Sequence, residues 1–168
     1  RELLASINQT MIGALPKNKY KIDYILGLPR VRTALDRAGL GGNQFLWAHD
    51  TTMIRGQAFR TLYYVKSSPE MRGDVIKDAS PELDQGGLTG GYAVDIELNG
   101  RGARRFSQIT GRNVGKYLAI VLDSTVYSAP VIRQKIPLGR AQITGNFGME
   151  EARALAIVLR AGALPAPV

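Results

Sequence analysis

The first 40 residues of the chain carry apolar side chains at helix-like spacing. One run spans Leu3–Ile12 and a second spans Ile22–Ala38, and both fit the period of an amphipathic helix. Pro16 ends the first run, and Pro29 lies inside the second, where a proline removes a backbone donor and clashes with the preceding turn. The pattern therefore predicts one helix and then two short ones before the glycine-rich segment 39–42.

Beyond these glycines the period changes to that of β-strands. Phe45–Ala48 and Thr61–Val65 are short, aromatic and β-branched, as half-buried strands tend to be. Tyr92–Asn99 alternates strictly between apolar and polar residues. This alternation predicts a strand whose apolar side chains face a core, while Asp95 and Glu97 face water.

Two more helices are predicted in the C-terminal half of the chain. The first carries an apolar stripe formed by Ala103, Phe106, Ile109 and Val114. The second begins near Met149. Glu150 and Glu151 in its first turn and Arg160 in its last turn favour a helix, because they complement the helix dipole.

The segment between these two helices predicts three short strands. Leu118–Leu122 is apolar on both faces, which favours a central strand. The next two residues mark a turn. Val126–Ile132 is predicted to return antiparallel as an edge or bulged strand, because Pro130 cannot complete a hydrogen-bond ladder. Gln142–Thr144 supplies the last strand.

From residue 73 onward the predicted order is strand, strand, helix, strand, strand, strand, helix. This order is typical of an α+β fold with an antiparallel or mixed sheet, helices on one face and ferredoxin-like elements. A boundary is expected near residues 67–73. The sequence thus divides into an N-terminal helical and strand part (1–72), an α+β subdomain (73–146) and a C-terminal helix (147–168).

The amino-acid composition mainly excludes certain classes of functional site. The 168 residues are 45% apolar, with no cysteine and a single histidine, His49, so thiol nucleophiles, disulfides and thiolate metal sites are excluded. The net charge of +8 leaves open a basic module that binds anionic lipid or nucleic acid. The densest basic group, Arg101, Arg104 and Arg105, is small, however, and lacks the alternating aromatic residues of single-strand-binding platforms.

Residue types and spacing give no catalytic constellation. Asp95 and Glu97 lie on the predicted water face, where solvated carboxylates are common. His49 and Asp50 are adjacent, but the sequence lacks a Gly-x-Ser-x-Gly elbow. We therefore expect no catalytic, cofactor-binding or metal-ligating residue and no cofactor. The sequence favours a binding or mechanical module over an enzyme.

A series of motifs follows residue 73 without a large gap. These are Gly73–Ala79, Gly102–Phe106, Thr110–Lys116, Leu118–Asp123, Tyr127–Ile132, Ile143–Phe147 and Leu159–Pro167. Together they resemble the SecD family of protein-export membrane subunits and its fused form, SecDF. Residues 1–72 match weakly, although Phe45-Leu46-Trp47 followed by an aromatic strand looks like the fused type.

The resemblance implies the first periplasmic domain of such a subunit, at the periplasmic face of the bacterial inner membrane. In the family this domain has a base near the membrane and a head that swings and is thought to hold the emerging preprotein. Residues 1–72 would lie on the base or linker side, 73–146 would form the head, and 147–168 would return toward the membrane. The implied partners are unfolded preprotein, SecF or a fused SecF half, and the SecYEG channel. Proton flow through residues outside this fragment would drive the cycle, and no nucleic acid is expected.

A preprotein of varied sequence can be held through its backbone at an exposed strand edge, or through apolar side chains in a shallow groove. The predicted return strand is the first edge to consider. Its candidate contact residues are Tyr127, Pro130 and Ile132.

A swinging head also needs hinges where the chain crosses between head and base. Pro69 and Gly73 at one crossing and Gly145 and Gly148 at the other are the candidates, because glycine absorbs dihedral changes at little steric cost. Ordinary turns at these positions are the alternative interpretation.

One position departs from the family pattern. The family usually has Asp-Gly after the strand at 118–122, whereas here Ser124 follows Asp123. Because a type I′ turn requires positive φ at both central residues, this departure predicts a wider turn.

Overall fold

A computed structural model of the protein describes residues 5–8, 11–84 and 91–161, which form two compact units. Unit 1 contains the described residues up to Ser68 together with Ala119–Tyr127. Unit 2 contains Pro69–Leu118 and the described residues from Ser128 onward. The predicted division at 72/73 and 146/147 therefore differs from the observed one. The first boundary lies at 68/69, a hairpin near residue 120 belongs to unit 1, and the C-terminal helix is part of unit 2.

Unit 1 is built on a six-stranded mixed sheet with two helices. Its strands are β1 (Ala5–Asn8), β2 (Met11–Ala14), β3 (Asn43–Ile54), β4 (Gln57–Lys66), β7 (Ile120–Leu122) and β8 (Thr125–Ser128), in the order β1-β2-β4-β3-β8-β7. Its helices are α1 (Lys19–Gly27) and α2 (Pro29–Arg37). The long strands β3 and β4 are antiparallel, whereas β3 and β8 are parallel.

The core of unit 1 joins α1 to the sheet. Ile22 of α1 is buried with Ala14, Trp47 and Leu62. Pro29 occupies the first turn of α2, where its missing N–H breaks no intrahelical hydrogen bond. The prediction of two short helices in this region is therefore confirmed.

The helix predicted over Leu3–Ile12 is wrong. The described residues of this run form β1 and β2, and Ile12 of β2 pairs with Leu62 of β4. A short apolar run fits either period, and here pairing with a long neighbouring strand decides its conformation. The strands predicted at Phe45–Ala48 and Thr61–Val65 are confirmed and extend further than predicted.

Unit 2 combines a three-stranded antiparallel sheet with two helices. Its strands are β5 (Ile76–Leu83), β6 (Tyr92–Leu98) and β9 (Arg140–Phe147), and its helices are α3 (Gly100–Arg112) and α4 (Met149–Ala161). The sheet order is β5-β6-β9. When the β7–β8 hairpin of unit 1 is included, the helices and strands that follow residue 73 occur in the predicted order.

The sheet of unit 2 has one apolar face and one polar face. On the apolar face, Val94 lies between Pro81 and Ile143, and both Val94 and Ile143 are fully buried. On the polar face, Asp95 is exposed and pairs across the strands with Ser80. This alternation is the one predicted for β6.

Both helices of unit 2 contribute to its core. Helix α4 packs along β5 and β6 and buries a row of small and branched side chains: Ala152, Leu155, Ala156 and Leu159. Helix α3 places Phe106 against Val75 and Leu98. Both helices therefore cover the apolar face of the sheet and leave the polar face exposed. This arrangement confirms the prediction of helices on one face.

Two predictions about the β7–β8 hairpin are wrong. β7 is a three-residue edge strand rather than a central one, and its Val121 is 40% exposed. The turn is tight rather than wide, since Asp123 and Ser124 alone connect the strands, with φ of 45° and 59°. A turn of this hand matches the twist of the strands, which outweighs the cost of a left-handed serine, about 1 kcal/mol.

Within the described residues, no helix combines the length and the apolar character needed to span a bilayer. Four residues of the first predicted run (3, 4, 9 and 10) and the end of the last motif (162–167) lie outside the described residues.

Candidate functional site

The backbone of β9 faces a paired strand on one side only. Just before β9, the Gly139 carbonyl accepts a hydrogen bond from the Leu98 amide, at 2.8 Å. Two and four residues later, Ala141 and Ile143 lie opposite residues of β6. Backbone groups of alternate residues point to opposite sides of a strand, so these odd-numbered residues direct their N–H and C=O groups toward β6.

The intervening residues direct their backbone groups outward. They are Arg140, Gln142 and Thr144, and their N–H and C=O groups form what we call the open edge. Ser128 supports this orientation, because its hydroxyl donates to the outward Thr144 carbonyl at 2.7 Å. Among the described residues, no strand pairs with this side of β9.

Polar side chains along β9 leave the open edge accessible. The Gln142 amide donates to Asp95 Oδ1 at 2.9 Å, and the Arg140 guanidinium lies 3.7 Å from Glu97 Oε2. Both contacts run along the polar face of the sheet toward β6. These side chains are therefore held to the face and away from the outer backbone groups.

The other outer strand, β5, is closed. Ala79 and Pro81 are its outward residues in the same alternation, and Pro81 has no N–H to offer a further strand. The Arg160 guanidinium of α4 donates to the Ala79 carbonyl and lies 3.0 Å from Asp78 Oδ1. Proline and a charged side chain are common ways to block an edge.

Glu97 connects the two outer strands through charge. Its Oε1 accepts a hydrogen bond from Lys77 Nζ at 2.7 Å, and Arg140 lies near its other oxygen. The hydrogen bond and charge of Lys77, with a further contribution from Arg140, lower the pKa of Glu97. Glu97 is thus held ionised at the centre of the polar face.

A second surface feature lies along α3. A depression of about 570 Å³ is lined by four arginines together with Glu70, Gln108, Ile109 and Asn113. Two of the arginines are engaged: Arg101 lies 3.1 Å from Asp74, and Arg105 donates to the Glu70 carbonyl at 2.9 Å. The other two, Arg104 and Arg112, make this surface attractive to anions.

Of the predicted contact residues Tyr127, Pro130 and Ile132, Tyr127 lies in a strand that is not at the edge of its sheet, and the other two follow that strand. Tyr127 lies in β8, between β3 and β7, and its ring stacks on His49 with centroids 4.3 Å apart. The Pro130 carbonyl accepts a hydrogen bond from the Leu118 amide, and Ile132 is buried. β8 ends at Ser128, and the chain then continues antiparallel to residues 115–118 through a bridge between Tyr117 and Val131, which agrees with a return strand interrupted near Pro130. Contact of these residues with a preprotein stays a prediction.

The hinge prediction fails at Gly145 and Gly148, which lie inside unit 2 where the chain does not cross between units. A Cβ on Gly145 would lie 2.6 Å from the Phe147 ring, so this glycine makes room for packing. The Gly148 amide donates to Glu151 Oε2 at 2.8 Å and helps to cap α4. Pro69 and Gly73 lie near the 68/69 crossing and remain hinge predictions.

The sequence predicts the strand at Gln142–Thr144 but not its position at an open edge. An indication was present, because Arg140, Gln142 and Thr144 are polar while Ala141 and Ile143 between them are apolar. Such alternation shows which residues face the core but not whether a neighbouring strand covers the backbone. Among the described residues, no group of three or more His, Asp or Glu side chains is placed to hold a metal ion.

A family model described as "SecDF, P1 head subdomain" matches residues 49–166. Curated relatives called "Protein translocase subunit SecD" are similar over the same region. The one from Rhodothermus marinus is 47% identical over 112 residues, covering 65% of this chain and 18% of the relative. The one from Aquifex aeolicus is 44% identical over 71% of this chain and 23% of the relative. The chain thus spans about a fifth of the length of these relatives.

Two solved structures of SecDF are also similar to this chain. One, titled "Structure and function of a membrane component SecDF that enhances protein export", covers 98% of this chain and 80% of its own, with 29% identity and a TM-score of 0.53. The other, "Crystal structure of SecDF in Super-membrane-facing form", covers 81% of this chain and 26% of its own, with 27% identity and a TM-score of 0.53. The mixed α/β architecture described above agrees with these structures. This chain therefore belongs to the SecDF family of protein translocase subunits, and residues 49–166 match its P1 head subdomain.

Proposed function

We propose that this chain is the periplasmic, preprotein-binding part of a SecD or SecDF translocase subunit, and that it captures extended preprotein segments at the open edge of β9. Family membership supports a role in protein export. The open edge supplies the one observation that carries the binding mode, because Arg140, Gln142 and Thr144 direct their backbone groups away from β6. Among the described residues, these groups receive one side-chain donor, the Ser128 hydroxyl at the Thr144 carbonyl.

The nature of the substrate favours this binding mode. A polypeptide that crosses a membrane in an unfolded state has no fixed sequence, so a general binding site must recognise what all chains share. Adding a strand to a sheet edge does this through main-chain hydrogen bonds. Individual hydrogen bonds of this kind contribute only about 1 kcal/mol net, so capture at a short edge is weak and reversible, as repeated binding and release require.

Energy for the cycle would come from the rest of the translocase. The chain would be tethered at the periplasmic face of the inner membrane, with SecF or a fused SecF half and the SecYEG channel as partners. The proton-motive force would act on membrane segments, and unit 2 would serve as a passive binding surface without catalysis.

Single-cysteine cross-linking can test the open edge, because the chain has no cysteine of its own. Thr144→Cys places a thiol on β9, and Glu82→Cys places a matched exposed thiol on the closed strand β5. Each would carry a photoreactive maleimide and be illuminated with a reduced, unfolded polypeptide. We expect adducts from position 144 and few from position 82. Equal adduct yields, or adducts only from β5, would overturn the assignment to β9.

A backbone variant provides the complementary test. Gln142→Pro removes an outward N–H and the side-chain contact with Asp95, but it removes no main-chain hydrogen bond to β6. It should lower cross-linking from Thr144→Cys while the circular dichroism spectrum stays unchanged. If the variant unfolds, Thr144→Cys alone still decides the question. Unaltered cross-linking in a folded variant would exclude main-chain pairing at this edge.

A further inference from the structure

Helices α1 and α2 of unit 1 carry a large share of the charge of the chain. Residues 16–38 hold six of its 22 basic residues and two of its 14 acidic ones. The basic residues are Lys17, Lys19, Lys21, Arg30, Arg32 and Arg37. This short segment thus contributes a net charge of +4, half of the total of +8.

Contacts with the sheet fix the rotation of α1 about its axis. Ile22 is 3% exposed and lies in the core of unit 1. The Trp47 indole donates from Nε1 to Asp23 Oδ1 at 2.6 Å, and Lys19 Nζ donates to Asp23 Oδ2 at 2.7 Å. The Lys19 ammonium also lies 5.7 Å from the centroid of the Trp47 ring. One side of α1 is therefore held against the sheet.

The opposite side of α1 combines aromatic rings with cations. Residues three or four apart share a helix face, so Tyr20, Lys21 and Tyr24 lie together on the side away from Ile22. The tyrosines are 85% and 65% exposed, respectively. Lys17 precedes Tyr20 by three residues and lies in the 3₁₀ turn that leads into α1.

Helix α2 also exposes cationic side chains. It has no buried residue, and only Val31 and Leu35 are half-buried. Arg30 and Arg37 are seven residues apart, which places them on one face of the helix, away from those two side chains. Each helix therefore presents cations on its outer face, and α1 adds two exposed aromatic rings.

We propose that the outer faces of α1 and α2 bind the headgroup region of an anionic phospholipid bilayer. Lysine and arginine attract lipid phosphates, and a tyrosine ring, apolar in its body and polar at its tip, suits the boundary between headgroups and acyl chains. A soluble polyanion would engage the cations but would leave the tyrosines in water. The inference rests on the proposed function only in that the latter places an anionic membrane within reach.

The arginine-lined depression on α3 is the competing basic surface. Arg104 and Arg112 have no ion-pair partner within the described residues, and no exposed aromatic side chain lines the depression beside them. Two of its four arginines already contact protein acceptors. The combination of exposed rings and cations therefore favours α1 and α2.

Vesicle co-sedimentation of the 168-residue chain tests the proposal. The probes are vesicles of phosphatidylcholine alone and of phosphatidylcholine mixed with phosphatidylglycerol. We expect binding to the anionic vesicles that weakens as salt screens the charges, and little binding to the neutral ones. Equal binding to both compositions, or to neither, would overturn the proposal.

Variants then locate the surface. The double substitution K17Q/K21Q should lower partitioning about 30-fold, from the loss of two surface cations. The matched control R104Q/R112Q removes the same charge from α3 and should change partitioning far less. A larger loss in the control than in the α1 variant would assign lipid binding to α3 and contradict the proposal.

A charge-neutral variant separates a bilayer from a soluble polyanion. Y20S/Y24S should lower binding to anionic vesicles several-fold while binding to heparin stays the same. If vesicle binding is unchanged, the tyrosines do not enter the interface and the proposal fails. Emission from Trp47, which packs beside α1, verifies in each variant that the helix remains in place. None of these readouts involves an unfolded polypeptide, so their failure is distinguishable from failure of capture at β9.

Discussion

The two outer strands of the sheet in unit 2 have the same length, but only one of them leaves its outward backbone groups accessible to a further strand. β5 and β9 each span eight residues and flank the same central strand. β5 carries Pro81 and contacts Arg160 at its outward carbonyl, whereas the outward groups of β9 receive a single side-chain donor, Ser128, among the described residues. An edge strand exposes a protein to unwanted pairing. A blocked edge beside an open equivalent is consistent with the capture at β9 proposed above.

The largest effect is expected from Gly139→Ala, at the entry to β9. Gly139 has a φ of +66°, and a Cβ there would lie 2.5 Å from Ala103 Cβ and 3.0 Å from its Cα. Left-handed strain and overpacking together should cost about 3 kcal/mol. Urea unfolding followed by circular dichroism measures the loss.

Gly115→Ala is its matched control, because Gly115 also has a positive φ, +84°, but open space around the new Cβ. It should cost only about 1 kcal/mol. Equal losses in both variants would show that strain alone, and not the close approach of α3, matters at the start of β9.

The next effect is expected from Arg160→Ala, which opens the edge of β5. It removes the donor to the Ala79 carbonyl and the contact with Asp78, at a cost of about 1 kcal/mol in the free energy of unfolding. Cross-linking of unfolded polypeptide from Glu82→Cys should then increase. Pro81 limits the gain, because its missing N–H remains.

Arg153→Ala serves as the control for this opening. Arg153 lies on the same helix and contacts the exposed Glu150 at 3.3 Å, so its removal should leave β5 closed. An increase in cross-linking from β5 in both variants would mean that overall charge, not the edge contact, governs access.

A smaller change is expected from Ser128→Ala, which frees the Thr144 carbonyl of β9. The lost hydrogen bond should lower the free energy of unfolding by about 0.5 kcal/mol. Because the freed carbonyl becomes available to a pairing strand, cross-linking at the open edge should rise or hold steady. A fall in capture would indicate that Ser128 itself contacts the bound polypeptide.

The smallest effect concerns Glu97, which lies between the two outer strands. Its pKa is lowered in the folded protein, chiefly by Lys77, so ionised Glu97 favours folding above its ordinary pKa. This contribution is lost as the pH falls through the lowered value. Stability of Glu97→Gln, measured by urea unfolding at several pH values, should therefore vary less across that acidic window. High salt should shrink the difference between variant and parent, because both partners are near solvent.

Several elements could be predicted from the sequence because their hydrophobic patterns are long or because a proline marks their boundary. The strict alternation of Tyr92–Asn99 identified β6, and Pro29 separated α1 from α2. The run Leu3–Ile12 was misassigned because it is short, and its pairing with β4 comes from residues about 50 positions away. Local pattern contains no information on such a partner.

The candidate site was harder to predict for a related reason. Pro130 correctly indicated an interrupted strand, but the chain leaves β8 two residues earlier and enters unit 2. The open edge of β9 depends on which strand lies beside it, and the closed edge of β5 depends on Arg160, which is 81 residues from its acceptor Ala79. Such contacts between residues distant in sequence decide exposure, and alternation within one strand cannot reveal them.

Residue-resolved amide hydrogen exchange, measured by NMR with and without an unfolded polypeptide, shows directly whether a bound segment pairs with the open edge of β9. If β9 captures the polypeptide, the outward amides of Arg140, Gln142 and Thr144 gain protection on binding, while those of β5 do not. Binding that leaves these three amides unprotected, or that protects β5 instead, would contradict it.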